Sequence, residues 1–384
     1  MRILLLLLAG LFVARAENPW NAEKLSQPPK ADWGATNELT QEVWYEGEPY
    51  MGKPTRIFAY IGRPEGKGPH PAIVLVHGGG GEAFRDWAMH WAKRGYVSIA
   101  MDTAGKGPKK SANPDAGPGQ DDATKFRTDL PAQDMWTYHA VAAAIRAHSL
   151  LLSMPEVDKT RTALTGISWG GYLTCIIAGV DHRFKAAVPV YGCGFLHENS
   201  VWKTQWLDKM PADARAGWVA KWDPSSHMAG VKCPILFFNG TNDFAYPLDS
   251  YRKCYNLVRP ELRHLSVIIE LKHGHFWNFP EPDAFIDSVL LGKAPLTRLG
   301  DIEVKGAVAT AKLTATNPPA KAELCLTSDT GPWQRRKWQS IPAEIKDGAI
   351  TAALPDKTPL TFYLSVTDSN GARTTTAHAG RGGE

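Results

Sequence analysis

Cysteine is scarce in this sequence, and what there is shows no arrangement for metal binding. Five occur among 384 residues: Cys175, Cys193, Cys233, Cys254 and Cys325. Five is an odd number, and no CxxC or paired Cys/His spacing is present, which argues against a structural zinc site. Most of these thiols sit inside apolar runs, where cysteine serves as a small buried hydrophobe. The sequence assigns no disulfide. An excess of one charge is also missing. The 43 basic and 39 acidic residues give a formal charge of +4, with no dense basic stripe, so nucleic acid is excluded as a partner. Neither GxxxxGK[ST] nor a GxGxxG opening a helix occurs, which leaves a phosphate-binding loop without support. Beyond the first residues, no apolar run approaches the ~20 residues that cross a bilayer. With 43% hydrophobic and 21% charged residues, the composition is that of a folded globular chain, long enough for two domains.

The N-terminus reads as a cleavable export signal. Arg2 carries the charge, and Ile3 to Val13 form an apolar stretch of 11 residues interrupted only by Gly10. Ala14-Arg15-Ala16 supplies small residues at the cleavage positions. An uncleaved anchor is the alternative, but the stretch is too short to span a membrane. Cleavage after Ala16 leaves 384 − 16 = 368 residues and removes Arg2 and Arg15, so the mature charge falls near +2. A secreted or periplasmic protein with no membrane span in its mature chain is expected. Its oligomeric state is not legible.

Residues 17–40 are polar and rich in Pro and Asn, and read as an extended lead-in. From Val43 onward, continuous apolar runs alternate with helical ones. The strands expected are Ala72 to Val76, Val97 to Met101, Arg161 to Thr165, Ala186 to Tyr191, Pro234 to Asn239 and Leu265 to Leu271. The helices are Ala83 to Arg94, Pro131 to Leu152, Tyr172 to Gly179, Leu248 to Val258 and Asp283 to Leu291. This order predicts an α/β fold with a doubly wound, mostly parallel sheet over residues 41–294. After Lys293 the helical period vanishes. Short β-type runs at Ile302 to Leu313, Ala322 to Leu326, Ile350 to Leu354 and Leu360 to Thr367 predict a small all-β sandwich over 295–384, with Arg381 to Glu384 loosely held. Two insertions break the α/β pattern. One is the Gly/Pro/Asp-rich loop 104–125. The other, 196–230, carries Trp202, Trp206, Trp218 and Trp222 in pairs at i, i+4 spacing. Such a segment could cap a site and present aromatic faces to sugar or acyl groups, or simply pack the cap onto the body.

Gly166-Ile167-Ser168-Trp169-Gly170 matches G-x-S-x-G between a strand and an apolar helix, the context of a nucleophile elbow. There the serine hydroxyl projects at a helix N-terminus, where the dipole favours developing negative charge. His77-Gly78-Gly79-Gly80-Gly81 follows an earlier strand. Its unobstructed amides, Gly79 above all, can form an oxyanion hole with the amide of Trp169, while His77 orders the loop. Asp243 follows the strand ending at Asn239 and can orient a histidine. The histidine must come from His273-Gly274-His275. Spacing leaves both open, with His275 preferred because Gly274 would allow a tight approach.

These four motifs resemble the α/β-hydrolase superfamily, in its secreted branch of dienelactone hydrolases, acetyl-xylan esterases and prolyl-oligopeptidase-type domains. The resemblance covers about residues 40–293 and implies a Ser168, Asp243, His275 triad. Dienelactone hydrolases use a cysteine nucleophile, and the serine at 168 departs from them. The expectation is a secreted serine hydrolase that cleaves carboxylic esters through an acyl-enzyme, of acetyl-xylan deacetylase type, acting on a small-molecule or polysaccharide ester. It needs no metal or organic cofactor. The alternatives are a prolyl-oligopeptidase-like peptidase, for which the large N-terminal propeller is missing, and a non-catalytic protein whose sandwich binds glycan or a surface.

Overall fold

The computed structural model describes residues 18–382, so the expected export signal at 1–16 lies outside the described residues. Nine strands form one sheet in the order β1-β2-β3-β5-β4-β6-β7-β8-β9. They are β1 (Ala31–Asn37), β2 (Thr40–Glu46), β3 (Arg56–Gly62), β4 (His70–Val76), β5 (Val97–Met101), β6 (Val157–Ile167), β7 (Ala186–Val190), β8 (Ile235–Gly240) and β9 (Arg263–Ile268). The six strands from β5 across to β9 run parallel, and β1 to β3 add an antiparallel edge. Residues 31–37, read from sequence as a lead-in, are thus the outermost strand of the main sheet.

The helices are α1 (Ala22–Leu25), α2 (Arg85–Lys93), α3 (Asp122–Lys125), α4 (Trp136–Ser153), α5 (Trp169–Val180), α6 (Ala212–Trp222), α7 (Leu248–Asn256) and α8 (Pro280–Leu291). Side chains alternate along each parallel strand, and both faces are covered. Val74, Val76, Leu164 and Phe237 point into a core with α4, α5 and α7. Ile73, Leu75, Ala163 and Phe238 point into a second core with α2 and α8. Burial on both faces is why these strands read as unbroken apolar runs. Because β5 and β6 flank β4 on opposite sides, the strand order reverses at β4. The crevice at the C-terminal ends of β4 and β6 is where such sheets place ligands, and His77 and Ser168 follow those two strands.

Beyond α8 the chain forms two antiparallel sheets of five strands each. Val308–Thr314 and Ala349–Ala353 belong to one, Pro319–Thr327 and Leu360–Asp368 to the other. Their inner faces meet through Ala309, Ala311, Ile350, Leu324, Leu326, Phe362 and Leu364. The outer face of the second sheet packs Cys325, Tyr363, Trp333 and Trp338 into the main α/β core. Arg381, expected to be loose, instead pairs with Leu360 in the second sheet. Its guanidinium donates to the carbonyl of Lys357 at 3.0 Å. All five cysteines are free and buried. Among the described residues no helix is long and apolar enough to cross a membrane.

Helix α5 approaches β4 closely at Gly170. A Cβ on Gly170 would lie 2.0 Å from the carbonyl oxygen of Val76, and that neighbour is backbone that cannot swing away. Gly170→Ala is therefore expected to cost about 3 kcal/mol through overpacking, read as a lowered thermal midpoint.

Candidate active site

Strand β6 ends at Ile167 and α5 begins at Trp169, so Ser168 alone makes the turn. It does so at φ 60° and ψ −121°, a left-handed backbone that costs a non-glycine residue about 1–3 kcal/mol. The strain is held from both sides. Ser168 N–H donates to the Val190 carbonyl of β7 at 2.9 Å, and Tyr172 N–H of α5 donates back to the Ser168 carbonyl at 2.9 Å. As the first helical residue, Trp169 carries an amide with no partner within the helix.

The glycine loop after β4 is gripped by two imidazoles. His77 Nε2 accepts from the Thr103 N–H at 2.9 Å, so its proton resides on Nδ1, which donates to the Gly78 carbonyl at 2.7 Å. Gly78 N–H donates to His275 Nε2 at 3.1 Å. Burial, and then the neighbouring His77 and His273, push the His275 imidazole down to about 4. It is neutral at pH 7 and can act as an acceptor. A Cβ on Gly78 would fall 2.7 Å from the Ile167 carbonyl and 2.9 Å from His275 Nε2, so only glycine lets the loop come this close. With the Gly78 amide committed to His275, the Gly79 amide is the next one the loop can offer. Gly79 also packs against Trp169, whose indole a Cβ there would meet at 3.0 Å.

Asp243 is paired with His273, not with His275. His273 Nδ1 donates to Asp243 Oδ2 at 2.6 Å, while Asp243 Oδ1 accepts the amides of Ala245 at 2.9 Å and Tyr246 at 2.8 Å. The carboxylate is only 3% exposed, yet both its oxygens are satisfied. The His273 ring is fixed by Tyr191, with ring centroids 4.4 Å apart, and by the edge of Phe244 at 4.7 Å. The preference for His275 is corrected for a local reason. Strand β9 stops at Ile268 and the chain turns through Glu270 at φ 53°, which gives His273 enough loop to reach Asp243. His275 falls instead among Phe84, Trp87 and the glycine loop. Gly274 serves to admit the Phe276 ring, which a Cβ would meet at 2.7 Å.

Ser168, Gly79, Trp169, His273 and His275 line one cavity of about 500 Å³, together with Gln120, Asp122, Lys125, Trp202 and Phe244. The last five come from the two insertions and the Asp243 loop. Of them, sequence reasoning had singled out only Trp202. Lys125 is 3% exposed, and its Nζ lies 2.9 Å from Asp122 Oδ1 and 4.5 Å above the Trp169 ring. Burial holds its pKa below the usual lysine value. Trp202 Nε1 donates to the other Asp122 oxygen at 3.1 Å. Trp202, Trp218 and Trp222 are all buried in the main core with Trp206 packed against it, which is the packing role, and of the four Trp202 alone also lines this cavity. Among the described residues no three His, Cys, Asp or Glu side chains are grouped to hold a metal ion.

The family model for Acetyl xylan esterase (AXE1) matches residues 30–204. Among curated proteins, the acetyl esterase Axe7A of Xylanibacter ruminicola is 23% identical over 53% of this chain and 49% of its own length. The match thus spans about half of that relative. Among solved structures, an acetyl xylan esterase from a Paenibacillus species aligns with TM-score 0.57 and 22% identity over 70% of this chain and 92% of its own. Acetyl xylan esterase 1 from a Thermoanaerobacterium species aligns with TM-score 0.56 and 18% identity over 73% and 96%. Strand order and these likenesses to solved structures give the main body an α/β-hydrolase fold.

Proposed function

We propose that this protein hydrolyses carboxylic esters, with acetyl groups on a sugar or polysaccharide as the substrate class, through an acyl-enzyme on Ser168. The observation that carries the reading is the shared cavity. A serine in a strained strand-to-helix turn opens onto the same space as a histidine whose Nδ1 is locked on a buried carboxylate. With Nδ1 so committed, His273 Nε2 takes the Ser168 Oγ proton as Oγ attacks the ester carbonyl. The amides of Gly79 and Trp169 receive the oxyanion. His273 then protonates the leaving alcohol, activates water and returns the proton to Ser168 as the acid departs. Asp243 keeps the tautomer and stabilises the imidazolium. Trp169, Trp202 and Phe244 give the cavity flat apolar walls with Asp122 and Lys125 as polar edges, the mixture that suits a sugar ring. The names of the relatives, acetyl esterase and acetyl xylan esterase, favour acetyl as the acyl group. We further propose export directed by residues 1–16, a catalytic domain over 41–294 and an accessory sandwich over 295–384.

The test is a substrate panel read beside active-site labelling. p-Nitrophenyl acetate should turn over faster than longer acyl homologues, and acetylated xylan should release acetate. An organofluorophosphonate should add one label, mapped to Ser168 by mass spectrometry. Peptide cleavage without ester hydrolysis, or an unlabelled Ser168 with no ester turned over, would overturn the reading.

A further inference from the structure

The loop that carries the proposed triad acid is held by the C-terminal sheets. Residues Trp333–Arg335 form a single tight turn beside the second sheet. Three carbonyls of this region converge on one side chain of the main body. Asn242 Nδ2 lies 2.7 Å from the Arg336 oxygen, 3.3 Å from Gln334 and 3.5 Å from Trp333. Asn242 is the residue immediately before Asp243. The turn is itself braced: Trp333 is buried in the main core, the Arg336 guanidinium stacks 3.7 Å over its ring, and Arg336 Nε donates to the Gly331 carbonyl at 3.0 Å.

The other end of the Asn242 amide continues the chain of contacts. Thr241 Oγ1 donates to Asn242 Oδ1 at 2.5 Å, and Glu270 N–H donates to Thr241 Oγ1 at 3.0 Å. Glu270 lies at the turn that releases the chain toward His273. One polar network therefore runs from the sandwich, through Asn242 and Thr241, to both loops whose tips meet as Asp243 and His273. The tips of the two loops meet in the 2.6 Å hydrogen bond of His273 to Asp243, and their relative placement must be held to a fraction of an ångström, since a shift near 1 Å can cost about 10²-fold in rate.

We propose that the C-terminal sheets position the acid–base pair, with Asn242 as the positioning residue and the 333–336 turn as its template. This rests on the hydrolase reading above. Asn242→Ala in the full chain is expected to lower kcat by about 10- to 10²-fold with KM nearly unchanged, and to weaken or shift the low-field NMR resonance of the His273 Nδ1–H. Arg252→Ala is the control. It removes a different contact to the same sheets, Arg252 to the His378 carbonyl at 3.0 Å, and should leave kcat and the resonance unchanged. Should Asn242→Ala fail to fold, Thr241→Val, which cuts the same network and preserves shape, is read in its place with the same expected result.

Wild-type kcat and resonance in the network variant would overturn the proposal, as would equal losses in Arg252→Ala, which would mean general loosening between the two parts. The resonance is recorded without substrate. A wild-type protein that hydrolyses no ester thus counts against the functional reading, and a resonance that moves in the network variant still supports the positioning role.

Discussion

His273→Ala will lower kcat by on the order of 10⁶-fold, the scale expected when the base of a serine triad is removed, while His275→Ala will lose only about 10²-fold. The two histidines are separated by one residue, and their surroundings assign them opposite work. His273 has one nitrogen on a buried carboxylate and its ring in the cavity. In the proposed mechanism Asp243 steadies the imidazolium that forms as His273 takes the Ser168 proton. His275 has Nε2 on the Gly78 amide, with Phe84 and Trp87 beside its ring. Burial holds its pKa near 4, below the ordinary imidazole value, so folding favours the neutral ring. That preference is in force above the ordinary value of about 6.5 and is lost as pH falls from there through 4. A group so tuned accepts a hydrogen bond at neutral pH and is ill suited to carry a proton in catalysis. Steady-state kinetics on p-nitrophenyl acetate with the two single variants decides the matter. A larger loss in His275→Ala would restore the sequence-based preference.

That preference shows where sequence reasoning stops. The core strands were legible because two buried faces write an unbroken apolar run, as in Ala72 to Val76. The elbow was legible because Gly166 and Gly170 must be small where α5 meets β4. The histidine depended on where β9 ends. Apolar Ile269 and Leu271 extend the run past the last paired residue, Ile268, and so conceal the loop that frees His273. Strand β1 was missed for the opposite reason. Its residues are nearly all exposed, and it joins the sheet by backbone pairing with β2 and by polar surface contacts such as Arg56 with Asp32, which leaves no hydrophobic period. Trp202 and Trp206 have helical spacing but lie in turns rather than a helix, while Trp218 and Trp222 do lie on α6. Lys125 gave no signal at all. Its place beside Trp169 is made by a long-range fold of the 104–125 loop over the elbow. The contact of Asn242 with residues more than 90 positions later is equally invisible in one dimension.

Ser168→Ala is expected to match the His273→Ala loss, on the order of 10⁶-fold in kcat, and the double variant should lose no more than either alone. Non-additivity follows from the chemistry. Once Oγ is gone, His273 has no proton to take from it, and once the imidazole is gone, Oγ stays protonated and weakly nucleophilic. What remains in every case is the glycine loop and the amide of Trp169, which owe nothing to either side chain. The Gly78 amide is anchored by His275, and the loop carbonyl by His77. The residual rate over uncatalysed hydrolysis should therefore be about 10³–10⁴-fold and the same in all three variants. Gly79 donates through its backbone, so the residual activity is probed by a side chain that disturbs the loop. Gly78→Ala, whose Cβ would meet Ile167 and His275 within 3 Å, should remove most of it in a Ser168→Ala background. Additive losses in the Ser168/His273 double variant would mean that the two residues serve separate steps. Ser168 would then not be the nucleophile that His273 activates.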